Sequence, residues 1–128
     1  MSFLPITSSF TAIFALALVA LSVPVTLRRV KVGDLIGDSP DAVLRLRIRA
    51  QGNFIEYVPL GVIGLGLVEA HAAATWLVLS IGGVLAGGRL LHAVGMWRES
   101  APLRGFGMLL TYAALVVAAG VLLMLSRA

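Results

Sequence analysis

The sequence predicts an all-α integral membrane protein, a bundle of four transmembrane helices formed by a single domain over residues 1–128. Three observations carry this. Hydrophobic residues make up 59% of the chain and charged residues only 12%, against roughly 25% charged in an ordinary soluble domain. The mean hydropathy is +1.01, so there is too little polar surface to cover a globule in water. The apolar residues fall into four runs, each near the roughly 20 residues that a helix needs to cross the hydrocarbon core. Most basic residues sit in or beside two of the three connections between those runs, as the positive-inside rule requires.

The first run, from about Phe3 to Leu27, contains no charge and is followed by Arg28, Arg29 and Lys31. No basic residue precedes it and it is long, so it reads as a retained span rather than a cleaved signal peptide. The stretch "VGDLIGDSPD" (Val32 to Asp41) has the glycines, proline and aspartates of a surface loop, and Asp41 is placed to cap the next helix. The second run begins near Arg45, is fully apolar only after Glu56 and reaches Val68; Pro59 is expected to kink it. The third, from about Ala72 to Trp97, is interrupted by Arg89 and His92. The fourth, from about Gly105 to Ser126, is again uncharged.

Charge sets an expected orientation. The first connection and the start of the second helix hold Arg28, Arg29, Lys31, Arg45, Arg47 and Arg49, and the third connection adds Arg98 and Arg104. Glu69, His71 and Arg127 occupy the other end. Both basic connections should face the cytoplasm, with both termini on the opposite side. The net charge of +4 then reports topology first and contact with anionic membrane lipid second; no nucleic acid partner is expected. The absence of cysteine excludes disulfides, protein thiolates and Cys-based metal sites. No metal site is expected, since His71 and His92 lie toward opposite membrane sides. "GGVLAGGR" (Gly82 to Arg89) lacks the Lys-Ser/Thr ending of a phosphate-binding loop. Gly83 and Gly87 instead have the GxxxG spacing of closely packed membrane helices, and Gly61, Gly64 and Gly66 read likewise. Trp76 and Trp97 suit interface or packing positions.

Residues three and four apart share a helix face. Arg45, Arg49, Asn53 and Glu56 therefore form one polar stripe in the basic half of the second helix, while Arg89, His92 and Met96 share a face of the third. Arg104 starts the fourth at the same membrane side. An ionisable group at mid-membrane costs at least about 2.5–3.5 kcal/mol on insertion scales and normally faces a bundle interior or aqueous cavity. Glu56 should accordingly pair with Arg89 or Arg49. Spacing alone fits a set of interhelical ties as well as a ligand site.

The run "RAQGNFIEYVPL" (Arg49 to Leu60), followed by "GRLLHAVG" (Gly88 to Gly95) and "APLRG" (Ala101 to Gly105), resembles the membrane-associated proteins in eicosanoid and glutathione metabolism, the MAPEG family. The likeness extends through all four spans and is sharpest in these blocks, the first being the most specific. It implies a homotrimer of four-helix protomers in a bacterial inner membrane, with glutathione bound between neighbours near the cytoplasmic face. Positions matching family glutathione contacts are Arg49, Gln51, Asn53, Glu56 and Tyr57 on the second helix, and Arg89 and His92 on the third. Arg104 matches the arginine that faces the glutathione sulfur in active members, which makes it the candidate catalytic residue. Arg28 or Arg29 matches a carboxylate contact more loosely. The chain departs from many active members at Met96 and Met108, where they carry tyrosines, and at Gly52, where some carry a basic residue. Tyr112 lies one turn beyond Met108.

The chemistry suits that ligand. Glutathione has two carboxylates and one ammonium, complementary to arginines plus a glutamate, and bidentate Arg–carboxylate pairing adds geometry to charge. A guanidinium near the thiol favours the thiolate, the reactive form. The expected function is a glutathione-dependent transferase or peroxidase, with glutathione as substrate or cosubstrate and a lipophilic small-molecule electrophile arriving from the lipid. Two other readings use the same residues: a non-catalytic structural or ligand-binding membrane protein, and a small proton-coupled exporter working through Glu56. Arg49 and Arg89 on neighbouring faces count against the exporter.

Overall fold

The computed structural model describes residues 3–127, and these form four helices: α1 (Pro5–Val32), α2 (Ala42–Ala70), α3 (Thr75–Trp97) and α4 (Ala101–Leu125). Each is long and apolar enough to span a membrane; over the most apolar stretch of each, the mean hydropathy is 2.3, 1.3, 1.6 and 2.4 in chain order. The two lower values belong to the helices that carry the polar stripes. The chain is a multi-pass membrane protein.

Helices α2 and α4 begin earlier than their apolar runs because polar residues cap them. Asp41 Oδ1 accepts from Leu44 N at 2.7 Å, and Ser100 Oγ accepts from Leu103 N at 3.5 Å, each satisfying a helix-terminal amide that has no intrahelical acceptor. At its other end α1 runs on through Arg28, Arg29 and Lys31, cations favoured at a helix C-terminus, and stops where Gly33 takes φ 81°, the left-handed conformation that suits glycine. Helix α2 runs unbroken through Pro59, and α1 through Pro24.

Asp41 does a second job. Arg28 donates to it through Nε at 3.0 Å and Nη2 at 2.7 Å, a bidentate pair that closes the α1–α2 loop. The Arg28 guanidinium first, and the Leu44 amide next, hold the Asp41 carboxyl at about 2, below its ordinary 3.8. A depressed pKa means that this tie is at full strength above the ordinary value and is lost as pH falls through the folded one. Carboxyl-carbon NMR of Asp41 should therefore titrate near pH 2. A midpoint near 3.8 would mean that the pair does not form in solution.

At the opposite end, Glu69 reaches across to the start of α1. Its Oε1 accepts from Ile6 N at 2.9 Å and its Oε2 from Thr7 N at 2.7 Å, so one carboxylate satisfies two terminal amides of another helix.

Helices α2 and α3 touch each other and both outer helices, whereas α1 and α4 do not meet. The bundle is thus a rhombus with α2 and α3 across its short diagonal. Phe14, Leu21, Phe54, Val58 and Leu85 fill the half nearer the basic loops, and Leu65, Val68, Val78, Ile81 and Ala118 fill the other. Lipid is as apolar as these side chains, so close fit rather than removal from water holds the helices together.

Backbone meets backbone most closely between α3 and α4, through glycines other than those expected. A Cβ on Gly107 would lie 2.6 Å from His92 N and 2.7 Å from Gly88 O; one on Gly95 would lie 2.6 Å from Arg104 N. Gly83 and Gly87 meet nothing within 4 Å, so the GxxxG spacing is not the packing seam within the protomer. The seam follows the seven-residue step from Gly88 to Gly95, which returns to the same helix face. Of the second-helix glycines, Gly61 abuts Leu85, whereas Gly64 and Gly66 have ordinary contacts with Ala118 and Thr7.

Candidate functional site

The basic half of α2 carries two polar rows. One turns toward α1: Arg47 Nη1 donates to Pro24 O at 3.1 Å and Gln51 Nε2 to Ser22 Oγ at 2.8 Å. Gln51 is thus committed to the α1 seam. The other row, Arg45, Arg49 and Asn53, turns toward α3 and α4. There it meets His92 and Met96 from α3, Arg104 from α4 and Glu99 from the turn between them, around a cavity of about 490 Å³. Arg49, Asn53, His92 and Arg104, drawn from three helices, are therefore brought together at the end that carries the basic loops.

Three guanidinium groups against one carboxylate give this cavity a positive lining with a single acidic point. Arg104 is lightly held. Its Nη1 lies 3.9 Å from Met96 Sδ, a weak acceptor, and among the described residues the only ion pair is Arg28–Asp41. Most of the hydrogen-bonding capacity of Arg104 is thus available to a bound molecule. With Met96 as its neighbour in the lining, Arg104 faces the cavity beside a thioether rather than a phenol.

Arg89 lies behind this wall. It is 4% exposed and donates to Asn53 Oδ1 and, at 3.4 Å, to Asn53 O. It also donates to Thr111 Oγ1, through Nε at 3.0 Å and Nη2 at 2.7 Å, and to Met108 Sδ at 3.3 Å. Its guanidinium carbon stands 5.6 Å from the centroid of the Tyr57 ring, within cation–π range. Tyr57 packs edge-on against Tyr112, with the hydroxyls 3.5 Å apart.

The pairing expected for Glu56 is not made. Neither Arg89 nor Arg49 forms an ion pair with it among the described residues, and it lies exposed on the protomer surface. Arg89 instead finds neutral acceptors inside the bundle, while the helical phase of Glu56 carries it outside. Conversely, Glu99 is a cavity residue that the stripes did not mark. It sits just past the end of α3 at φ 52°, a left-handed conformation uncommon for a side-chain-bearing residue. The available signal was its place as the one acid in a short basic connection.

The MAPEG family model matches residues 7–124. The chain is 31% identical over 112 residues to inner membrane protein YecN of Escherichia coli strain K12, covering 88% of this chain and 86% of the relative. The same identity and coverage are found with inner membrane protein YecN of Escherichia coli O6:H1. No solved structure matches.

Proposed function

We propose that this chain, which belongs to the MAPEG family, is a glutathione-dependent transferase or peroxidase of the inner membrane that acts on lipophilic electrophiles. The observation that carries the reading is the convergence of Arg45, Arg49, Asn53, His92 and Arg104 on one cavity at a single end of the bundle. That end is the cytoplasmic one, with both termini opposite; the concentration of arginine there supports it.

In this reading Arg45 and Arg49 hold carboxylates of the peptide, Asn53 and His92 supply polar contacts, and Arg104 faces the sulfur. The positive charge of Arg104 favours loss of the thiol proton to water, leaving a thiolate. In transfer, the thiolate pair forms a carbon–sulfur bond as the leaving group departs with the electrons of its own bond. In peroxide reduction, sulfur takes the terminal oxygen and releases the alcohol; a second glutathione then gives disulfide and water. The electrophile enters from the lipid, and no tyrosine is assigned a role at the sulfur because Met96 and Met108 stand at the corresponding positions.

The functional unit in this reading is a homotrimer. The exposed carboxylate of Glu56 in a membrane span and the open faces of Gly83 and Gly87 support it, because an uncovered charge in lipid is costly and bare glycine faces allow close helix approach. Glu56 and Tyr57 then join the ligand site at the boundary between protomers, while Gln51 remains in the α1 seam.

The reading is tested by calorimetry of glutathione binding to detergent-solubilised protein. Saturable binding is expected in wild type, weakened by about tenfold or more in Arg49→Ala and in Glu56→Gln, the range for losing a hydrogen bond to a charged group. A folded wild type that takes up no glutathione would leave the family standing and favour the structural reading.

A further inference from the structure

A guanidinium carries hydrogen-bond donors and no acceptor. The amide atom of Asn53 that faces Arg89 is therefore its oxygen, as the Nη1 contact with Oδ1 has it, and the amide nitrogen is turned away. Asn53 Nδ2 has no acceptor within the described chain, while Asn53 itself lines the cavity and Arg89 does not. Arg89 is in turn anchored from the far side. Thr111, fully buried, gives its own proton to Gly107 O at 2.8 Å, which leaves its oxygen to accept from both Nε and Nη2 of Arg89.

We propose that Arg89 is a positioning residue that locks the Asn53 amide with its NH₂ group toward the cavity, so that Asn53 selects a carboxylate or carbonyl oxygen of the bound molecule. Without the lock, the amide could turn its oxygen inward and repel such a group. The chain Gly107–Thr111–Arg89–Asn53 thus carries the rigidity of the α3–α4 seam to the ligand wall. The choice of ligand rests on the function proposed above; the orientation of the amide does not.

The test is a double-mutant cycle read by glutathione calorimetry, using wild type, Arg89→Lys, Asn53→Ala and the double variant. Lysine keeps the buried charge but cannot bridge Thr111 and Asn53 with a planar fork. Each single variant should bind about tenfold more weakly, and the double variant no more weakly than Asn53→Ala. Independent losses that multiply in the double variant would overturn the proposal.

A ligand-free arm reads the Asn53 side-chain NH₂ pair in ¹H–¹⁵N spectra. It should shift in Arg89→Lys and also in Thr111→Val, which removes the anchor and serves if the lysine variant does not fold. An unmoved pair in a folded variant would overturn the proposal. If wild type binds no glutathione, the functional reading fails, and this second arm still decides the role of Arg89.

Discussion

Arg104→Ala is expected to lower glutathione-dependent turnover by about 10²-fold or more, the usual consequence of removing one charge-stabilising donor from a reaction centre. The expectation follows from how little else this residue does. Among the described residues its one side-chain hydrogen-bond contact is with the thioether of Met96, it is only partly buried, and it lies in the first turn of α4, beyond the main packing clusters. Helix content and thermal stability should therefore stay near wild type. Arg104→Lys should recover part of the rate, because it restores charge without the planar donor fork. Turnover assays with an electrophilic probe, run beside melting curves, separate the readings. Unchanged turnover would remove Arg104 from catalysis, and collapse of the fold would make it a structural tie.

The second large effect is predicted at the α3–α4 seam. In Gly107→Ala the added carbon would meet the main chain of α3, at His92 N and Gly88 O. Backbone cannot rotate away as a side chain can. Overpacking of this kind typically costs 1–3 kcal/mol, so the melting temperature in detergent should fall by several degrees, and Gly107→Val should fare worse. Because His92 and Arg104 flank the same seam, separating the helices should weaken glutathione binding too. Gly120→Ala is the control: its Cβ meets nothing within 4 Å, and alanine is the better helix former, so stability should hold or rise. A Gly107 variant with wild-type melting would show that the seam is looser than described.

The four spans were legible because hydropathy and length reach the same answer, and the caps at Asp41 and Ser100 moved their starts by only a few residues. Much of the site was legible for a similar reason: steps of three and four on α2 and α3 put Arg49, Asn53 and His92 on facing stripes. Rotation of each helix about its own axis was harder to read. Gln51 lies two residues from both Arg49 and Asn53 yet turns to α1, and Glu56 follows the stripe by spacing yet emerges at the surface. A helix carrying polar groups on two faces does not declare which face meets which neighbour. The glycines show the same limit, since GxxxG spacing marks faces able to come close, while only the packed bundle selects Gly88, Gly95 and Gly107. The Glu69 cap lay beyond spacing rules because it joins residues more than sixty positions apart.

That cap has a mechanical consequence. With Arg28–Asp41 at one end and Glu69 at the other, α1 and α2 are pinned at both extremities, so sliding one along the other would break both fastenings together. Helices α3 and α4 are meshed backbone to backbone. The bundle is therefore two stiff hairpins, and the cavity sits on the line where they join. Rocking one hairpin against the other would leave each intact but would load the Arg89–Asn53 bonds that cross this line, so those bonds, rather than any single loop, set how far the joint can open.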